Sequence, residues 1–253
     1  MMSASNTHLV LIPSYNAGSQ LVTTVQGALN HWRPIWVVVD GSTDGSTAAI
    51  ESLALHEPDI RVLVRAQNGG KGAAVATGTA AAIEAGFTHV LTMDSDGQHP
   101  AGYIPEFMAA SQAHPSALVL GRPEFGPEAP LIRLRGRKIS VWFARVEILG
   151  EGIDDPLFGF RVYPAAPLHH ILASTRWARG FDFDPEVAVR LVWAGVPTLN
   201  LPAPCRYLDK TAGGVSHFKY VRDNLKMAWL HLRLLTQLLL WRWVGVLRNR
   251  RST

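Results

Sequence analysis

Short, unbroken apolar runs recur along the first hundred residues, each closed by turn residues and followed by a stretch of helical spacing. Residues 8–13, 35–40, 60–65 and 89–93 read as strands, because a buried parallel strand appears as a brief apolar run bounded by Gly, Pro, Asn, Asp or Ser. Helical patterns over 20–30 and about 47–56, and an alanine-rich one ending near Gly86, separate them. This alternation predicts a mostly parallel α/β sheet with helices on both faces and right-handed crossovers. The second half is less regular. It offers a strand over 117–120 ending in Gly121-Arg122-Pro123, a loop over 123–130, and a helix from Arg133 to about Leu149. A turn and strand follow over 154–163, then a helix capped by Asp184, with Pro185 first and Glu186 in its first turn, and a strand over 197–202.

Residues 217–250 carry a different pattern. His231, Arg233, Gln237 and Arg242 interrupt the apolar stretch, so it falls short of the ~20 apolar residues that a bilayer crossing needs. At helical spacing, Arg222, Lys226, Arg233, Gln237 and Arg248 form one stripe, and Trp229, Trp241 and Trp243 are residues that favour a membrane interface. The expectation is a main α/β domain over 1–216 and a basic amphipathic appendage over 217–253 lying on a membrane, with packing against protein as the alternative.

Charge sharpens that picture. The chain is +4 overall, yet the part from Arg206 onward holds ten Lys or Arg against Asp209 and Asp223. Such asymmetry points to an anionic partner. No nucleic-acid-binding motif accompanies it, so an anionic membrane surface is expected and nucleic acid is not. The single cysteine, Cys205, excludes an intrachain disulfide framework and fits a reducing compartment. The N-terminus lacks the pattern of a signal segment. A cytoplasmic location, peripheral on the inner face of the membrane, is the expectation.

The candidate chemistry sits where the fourth strand ends, at Asp94-Ser95-Asp96-Gly97-Gln98-His99-Pro100. Ligands of open α/β sheets bind just outside the carboxyl ends of the strands. Two carboxylates one residue apart there suit a hard cation, and Mg²⁺ commonly combines one or two carboxylates with substrate phosphates. The competing reading is ordinary Asp-Gly turn chemistry. Nucleotide fingerprints of other classes are missing: no Gly-x-Gly-x-x-Gly follows the first strand, and Gly70-Lys71-Gly72 lacks the Ser or Thr that a P-loop requires.

Five stretches taken together resemble family 2 glycosyltransferases of the GT-A (Rossmann-like) fold, in particular the polyprenyl-phosphate and dolichol-phosphate sugar transferases. They are Ile12-Pro13-Ser14-Tyr15-Asn16, Val39-Asp40-Gly41-Ser42-Thr43-Asp44-Gly45-Ser46, Asn68-Gly69-Gly70-Lys71-Gly72, Asp94 to His99, and Asp155 to Arg161. The resemblance implies that Pro13, Tyr15 and Asp40 hold the base and ribose of a UDP- or GDP-sugar, with Lys71 close to the nucleotide. It implies that Asp94 contacts the nucleotide or metal, while Asp96 and Gln98 coordinate Mg²⁺ or Mn²⁺. Arg122, with a cation among Arg133 to Arg137, would grip the phosphate of a lipid-linked acceptor; Arg161 is a further candidate there or an ion-pair residue. Two positions depart from the family: Val39 stands where a first Asp is usual, and Phe158 where a small Ser or Cys is usual.

The implied reaction is an inverting transfer that needs a nucleophile behind the anomeric carbon and a stabilised diphosphate leaving group. A phosphate acceptor is already ionised and needs no base. A hydroxyl acceptor on a glycolipid or pigment needs one, and Asp155, Asp184 and Glu186 are the candidates. A non-catalytic nucleotide-sugar-binding scaffold is the remaining alternative.

Overall fold

Three of the four N-terminal apolar runs, 8–14, 35–40 and 89–92, are buried on both faces, as strands covered by helices on either side must be, while the run 60–65 forms a partly exposed edge. They form β1 (His8–Ser14), β2 (Ile35–Asp40), β3 (Ile60–Arg65) and β4 (His89–Thr92). In this computed structural model, which describes residues 3–127, 129, 131–205 and 220–242, three further strands complete one sheet: β5 (Leu118–Phe125), β6 (Arg161–Pro164) and β7 (Thr198–Cys205). The order of the seven is β3-β2-β1-β4-β6-β5-β7. β6 runs antiparallel to both its neighbours, β4 and β5, while every other pair is parallel.

Helices α1 (Gln20–Leu29), α2 (Ser46–Ala54) and α3 (Lys71–Glu84) are the crossovers of the first half. Alternate strand residues serve opposite layers: Val10 and Ile12 pack with α1 and α2, whereas Leu9 and Leu11 pack with α3. The later helices are α4 (Ile104–Ala113), α5 (Leu131–Glu147), α6 (Ala165–Ser174), α7 (Phe183–Trp193) and α8 (Tyr220–Gln237). α4 joins the α1 layer through Phe107 and Met108; α6 and α7 join the α3 layer, and α8 adds Leu230 and Leu234 to it.

Three expectations need correcting. Strand β5 does not stop at Gly121 but continues through Arg122 and Pro123 to Phe125, in register with β7 from Leu118↔Thr198 to Phe125↔Cys205. β6 accompanies β5 only at Val119 and Leu120, so beyond that point one edge of β5 lacks a ladder and tolerates a proline; Pro202 and Pro204 likewise lie on the edge strand β7. Helices α4 and α6 carry no predicted element, although Pro105 and Pro167 in their first turns are helix-start signals. Helix α7 begins at Phe183 with Asp182 at its N-cap, so Asp184 and Glu186 are inside the helix and free of capping. The expected boundary near 216 falls outside the described residues. Among the described residues, no helix is long and apolar enough to cross a membrane.

Candidate active site

Because β1, β2 and β4 are parallel, their exits lie on one edge. Strand order reverses between β1 and β4, which opens a crevice at that edge. The exit of β1 carries buried Pro13 and exposed Tyr15. Asn16 ties that loop to the exit of β2: its N–H donates to Ser42 Oγ (3.0 Å) and its Oδ1 accepts from the Thr43 N–H (2.8 Å).

Asp40 ends β2, and its carboxylate organises the next loop. It accepts from the backbone N–H groups of Gly69 and of Gly70 (2.7 Å) and from Arg65 Nε (2.7 Å). Gly70 has φ +88° there, a left-handed conformation that side chains disfavour. Asp40 is 2 % exposed. The oxygens expected to accept from a nucleobase are thus taken by the protein, and Asp40 acts as the former of the Asn68–Gly70 turn.

That turn delivers Lys71 as the first residue of α3. Its Nζ lies 2.6 Å from Asp94 Oδ1 and 2.7 Å from Asp184 Oδ2. Burial opposes the charge, but the two carboxylates outweigh it and hold the ammonium above the usual lysine range. Burial would likewise raise Asp94; Lys71, followed by His99, keeps its carboxyl below the usual range. Asp96, one residue on, lacks such a partner. Burial, reinforced by the charge of Asp94, pushes it up to about 6. Asp96 Oδ1 accepts from the Gln98 N–H (3.0 Å), and both residues are partly exposed.

His99 anchors this turn from behind. Its Nδ1 accepts from the Asp94 N–H (2.9 Å), which places the ring proton on Nε2, 3.6 Å from Asp94 Oδ2. Burial, the largest influence, lowers its pKa to about 4, so the ring is neutral. It packs edge-on against Phe158, whose centroid is 4.8 Å away. Phe158 is 2 % exposed, so this departure from the family pattern supports the turn from within.

Gly159 closes the cluster. Thr92 Oγ1 donates to its carbonyl (2.8 Å), and a Cβ built on it would stand 2.3 Å from Lys71 Nζ and within 3.3 Å of both Asp94 Oδ2 and Asp184 Oδ1. Neither His99 nor Gly159 was singled out from sequence; each sits inside a recognised stretch, and that adjacency was the available signal.

The remaining candidates separate. Asp155 Oδ1 accepts from the N–H groups of Leu157 and Phe158 and holds Arg137 in an ion pair. It is a turn-former and a partner for α5, not a free base. Arg161 is fully buried and spends its guanidinium on the carbonyls of Phe158, Asp184 and Pro156 at 2.6–2.7 Å. It braces the backbone and has no surface for an acceptor phosphate. Glu186 is 0 % exposed and is held by Arg233 at 2.6 and 2.8 Å and by Arg190 at 2.8 Å, away from the cluster. A catalytic role is therefore withdrawn. Asp184 remains beside Lys71, its Oδ1 buried without a hydrogen bond. Arg122 is exposed, 3.8 Å from Asp154, and remains open to an anion. The side chain of Arg133 lies outside what the structure describes.

Asp94, Asp96 and Gln98 are the oxygen donors on this edge that suit a hard cation. Among the described residues, no three His, Cys, Asp or Glu side chains are arranged to hold an ion by themselves. An open site of this kind suits an ion that takes its remaining ligands from substrate phosphates and water. A groove of about 630 Å³ lined by Phe87, His89, Pro115, Pro167 and Val196 lies at the other end of β4, away from these groups.

The chain belongs to Glycosyl transferase family 2, whose pattern matches residues 9–172. It is thus a glycosyltransferase of the GT-A fold. It is 31 % identical over 201 residues to a polyprenol monophosphomannose synthase of Mycolicibacterium smegmatis, covering 77 % of this chain and 75 % of that one. An undecaprenyl-phosphate mannosyltransferase of Micrococcus luteus is 28 % identical over 202 residues, covering 77 % and 81 %. Among solved structures, glucosyl-3-phosphoglycerate synthase from Mycobacterium tuberculosis, in complex with Mn²⁺, UDP-glucose and phosphoglyceric acid, superposes with a TM-score of 0.63 at 19 % identity, over 92 % of this chain and 79 % of that one. A mannosyltransferase from Pyrobaculum calidifontis with GDP-Man and Mn²⁺ gives 0.61 at 15 % identity, over 98 % and 76 %.

Proposed function

We propose that this glycosyltransferase moves a sugar, with inversion, from a UDP- or GDP-sugar to a polyprenyl-phosphate-like acceptor at the inner, cytoplasmic face of a membrane. The observation that carries this reading is that each of the three acidic base candidates is held in an ion pair. Asp155 is committed to Arg137, Glu186 to Arg190 and Arg233, and Asp184 to Lys71. A hydroxyl nucleophile needs a base within hydrogen-bond reach, whereas a phosphate oxygen is already ionised. The names of the two relatives above point to the same acceptor class.

The donor set fits Mg²⁺ or Mn²⁺, with Asp94, Asp96 and Gln98 as the residues that would hold it. Burial, and after it the charge of Asp94, raises the pKa of Asp96, and a cation bound between the two would offset both. A divalent cation bound there supplies Lewis-acid stabilisation to a departing diphosphate. This chain's own residues do the rest. Lys71 neutralises Asp94, so that the turn does not repel an incoming diphosphate. His99 holds the Asp94 backbone N–H, and Pro13 and Tyr15, at the exit of β1, would contact the nucleoside. Arg122 offers a guanidinium suited to a phosphate oxygen pair, and the acceptor oxygen bonds to the anomeric carbon as its bond to the diphosphate breaks.

The test is transfer of radiolabelled sugar from UDP- and GDP-donors to polyprenyl phosphate, read as label entering the organic phase with metal present. Asp96→Ala is expected to lose activity by about 100-fold or more, and normal transfer by that variant overturns the reading. Asp184→Asn separates the acceptors: abolished transfer to a hydroxyl acceptor, with none to polyprenyl phosphate in the unaltered enzyme, would favour a hydroxyl.

A further inference from the structure

Helix α8 is mounted against its charge pattern. Three of its polar residues, Asp223, His231 and Arg233, are buried: His231 Nδ1 lies 2.7 Å from Glu147 Oε1, and Arg233 forms two hydrogen bonds to Glu186. Those buried struts leave a row of large apolar side chains facing out. Leu225, Trp229 and Leu232 are 66 %, 53 % and 57 % exposed, and Leu239 and Leu240 beyond them 72 % and 66 %. Thr236, within the same row, donates its hydroxyl to the Leu232 carbonyl at 2.8 Å and so satisfies it inside the helix.

α5 packs beside α8 through Phe143, whose ring stacks on His231 at 4.4 Å. Its outer face shows Ile139 (60 % exposed) and Trp142 (59 %) next to exposed Arg135 and Lys138; its inner face sends Arg137 to Asp155. The carboxylates carried by the two helices, Glu147 and Asp223, are both 0 % exposed. The outer faces therefore combine apolar side chains with cations, Lys226 among them, and no acid.

We infer that the outer faces of α5 and α8 form the surface that docks this enzyme on an anionic lipid bilayer. Trp and Leu side chains enter the boundary between headgroups and acyl chains while the cations meet lipid phosphates. A second copy of the chain is a poorer occupant, because self-pairing sets Arg135, Lys138 and Lys226 against one another, and the exposed carboxylate beside the end of α5, Glu151, already lies 3.9 Å from Arg145. The expected amphipathic helix is thus retained with its faces reassigned: Arg233 serves the protein, and the bilayer is met by the leucine and tryptophan row together with α5. The inference deepens the lipid-linked acceptor reading, since α5 then joins the bilayer side to Asp155 near the reaction edge.

The experiment is flotation of the intact protein with phosphatidylcholine vesicles, with and without phosphatidylglycerol. The unaltered protein is expected to float with the anionic vesicles and to be released by salt. Trp142→Glu/Trp229→Glu, altered only at exposed positions, should bind them at least about tenfold more weakly while keeping its unfolding temperature and its transfer to a short-chain, water-soluble polyprenyl phosphate. Equal binding by the variant, no binding by the unaltered protein, or a dimer that the same substitutions disperse without any vesicle binding overturns the proposal. Vesicle binding without transfer to any lipid phosphate keeps the surface and removes the acceptor reading.

Discussion

Lys71 draws together carboxylates from two distant elements, Asp94 after β4 and Asp184 in α7, at 2.6 and 2.7 Å. Its charge makes their proximity tolerable, since like charges brought into a half-buried site repel unless a cation lies between them. The cluster closes tightly over residue 159, which has no side chain. Gly159→Ala places a Cβ 2.3 Å from Lys71 Nζ, so the ammonium must shift from its place between the two carboxylates. Transfer is expected to fall by about tenfold or more, while far-ultraviolet circular dichroism stays that of the unaltered protein. A steady-state assay beside the spectrum checks it, and unchanged activity would mean that the Lys71 bridge is dispensable. Asp155 and Arg161 illustrate the opposite limit: their residue types suit catalysis and phosphate binding, yet Asp155 Oδ1 is taken by Arg137 and two backbone N–H groups, and the Arg161 guanidinium by backbone carbonyls.

Among the elements, α8 is held by polar struts as much as by its leucines. Leu230 and Leu234 are fully buried, and Arg233 makes a two-point contact with Glu186, itself 0 % exposed. Replacing one member of a buried pair leaves an uncompensated charge, which costs more than the intact pair contributes. Arg190 remains on Glu186 at 2.8 Å, so Arg233→Met is expected at the low end, about 3 kcal/mol of lost stability. Denaturant unfolding gives that figure, and hydrogen exchange should show the α8 amides opening first. A variant as stable as the parent, with unaltered exchange, would mean that the leucines alone hold the helix. The long ladder between β5 and β7 makes a related point about prolines: Pro123, Pro202 and Pro204 look like strand breakers in a linear reading, and each is accommodated where one edge of the strand is free.

For the whole molecule, the arrangement implies that the reaction edge is open and completed by its ligands. No set of three described side chains closes on a cation, and Asp96 stands partly exposed beside Asp94. Chelation is therefore expected to abolish transfer while leaving the unfolding temperature of the donor-free protein within about 1 °C, because an ion the free protein barely holds contributes little to its stability. A drop of several degrees on chelation would reveal a resident, protein-enclosed ion instead.

Much of this was legible in the amino-acid sequence. Apolar runs alternating with helical patterns determined the four parallel strands and their crossovers, since periodicity and turn residues act locally. The Asp94–His99 turn followed from its place after one of those runs. Tertiary structure alone decided which charges were available. Lys71 meets Asp184, Arg137 meets Asp155 and Arg233 meets Glu186 only after crossovers bring separate helices together, and no spacing rule encodes such meetings. The outward face of α8 was decided the same way: periodicity defines a stripe, but partners on α5 and α7 determine whether that stripe turns toward protein or away from it.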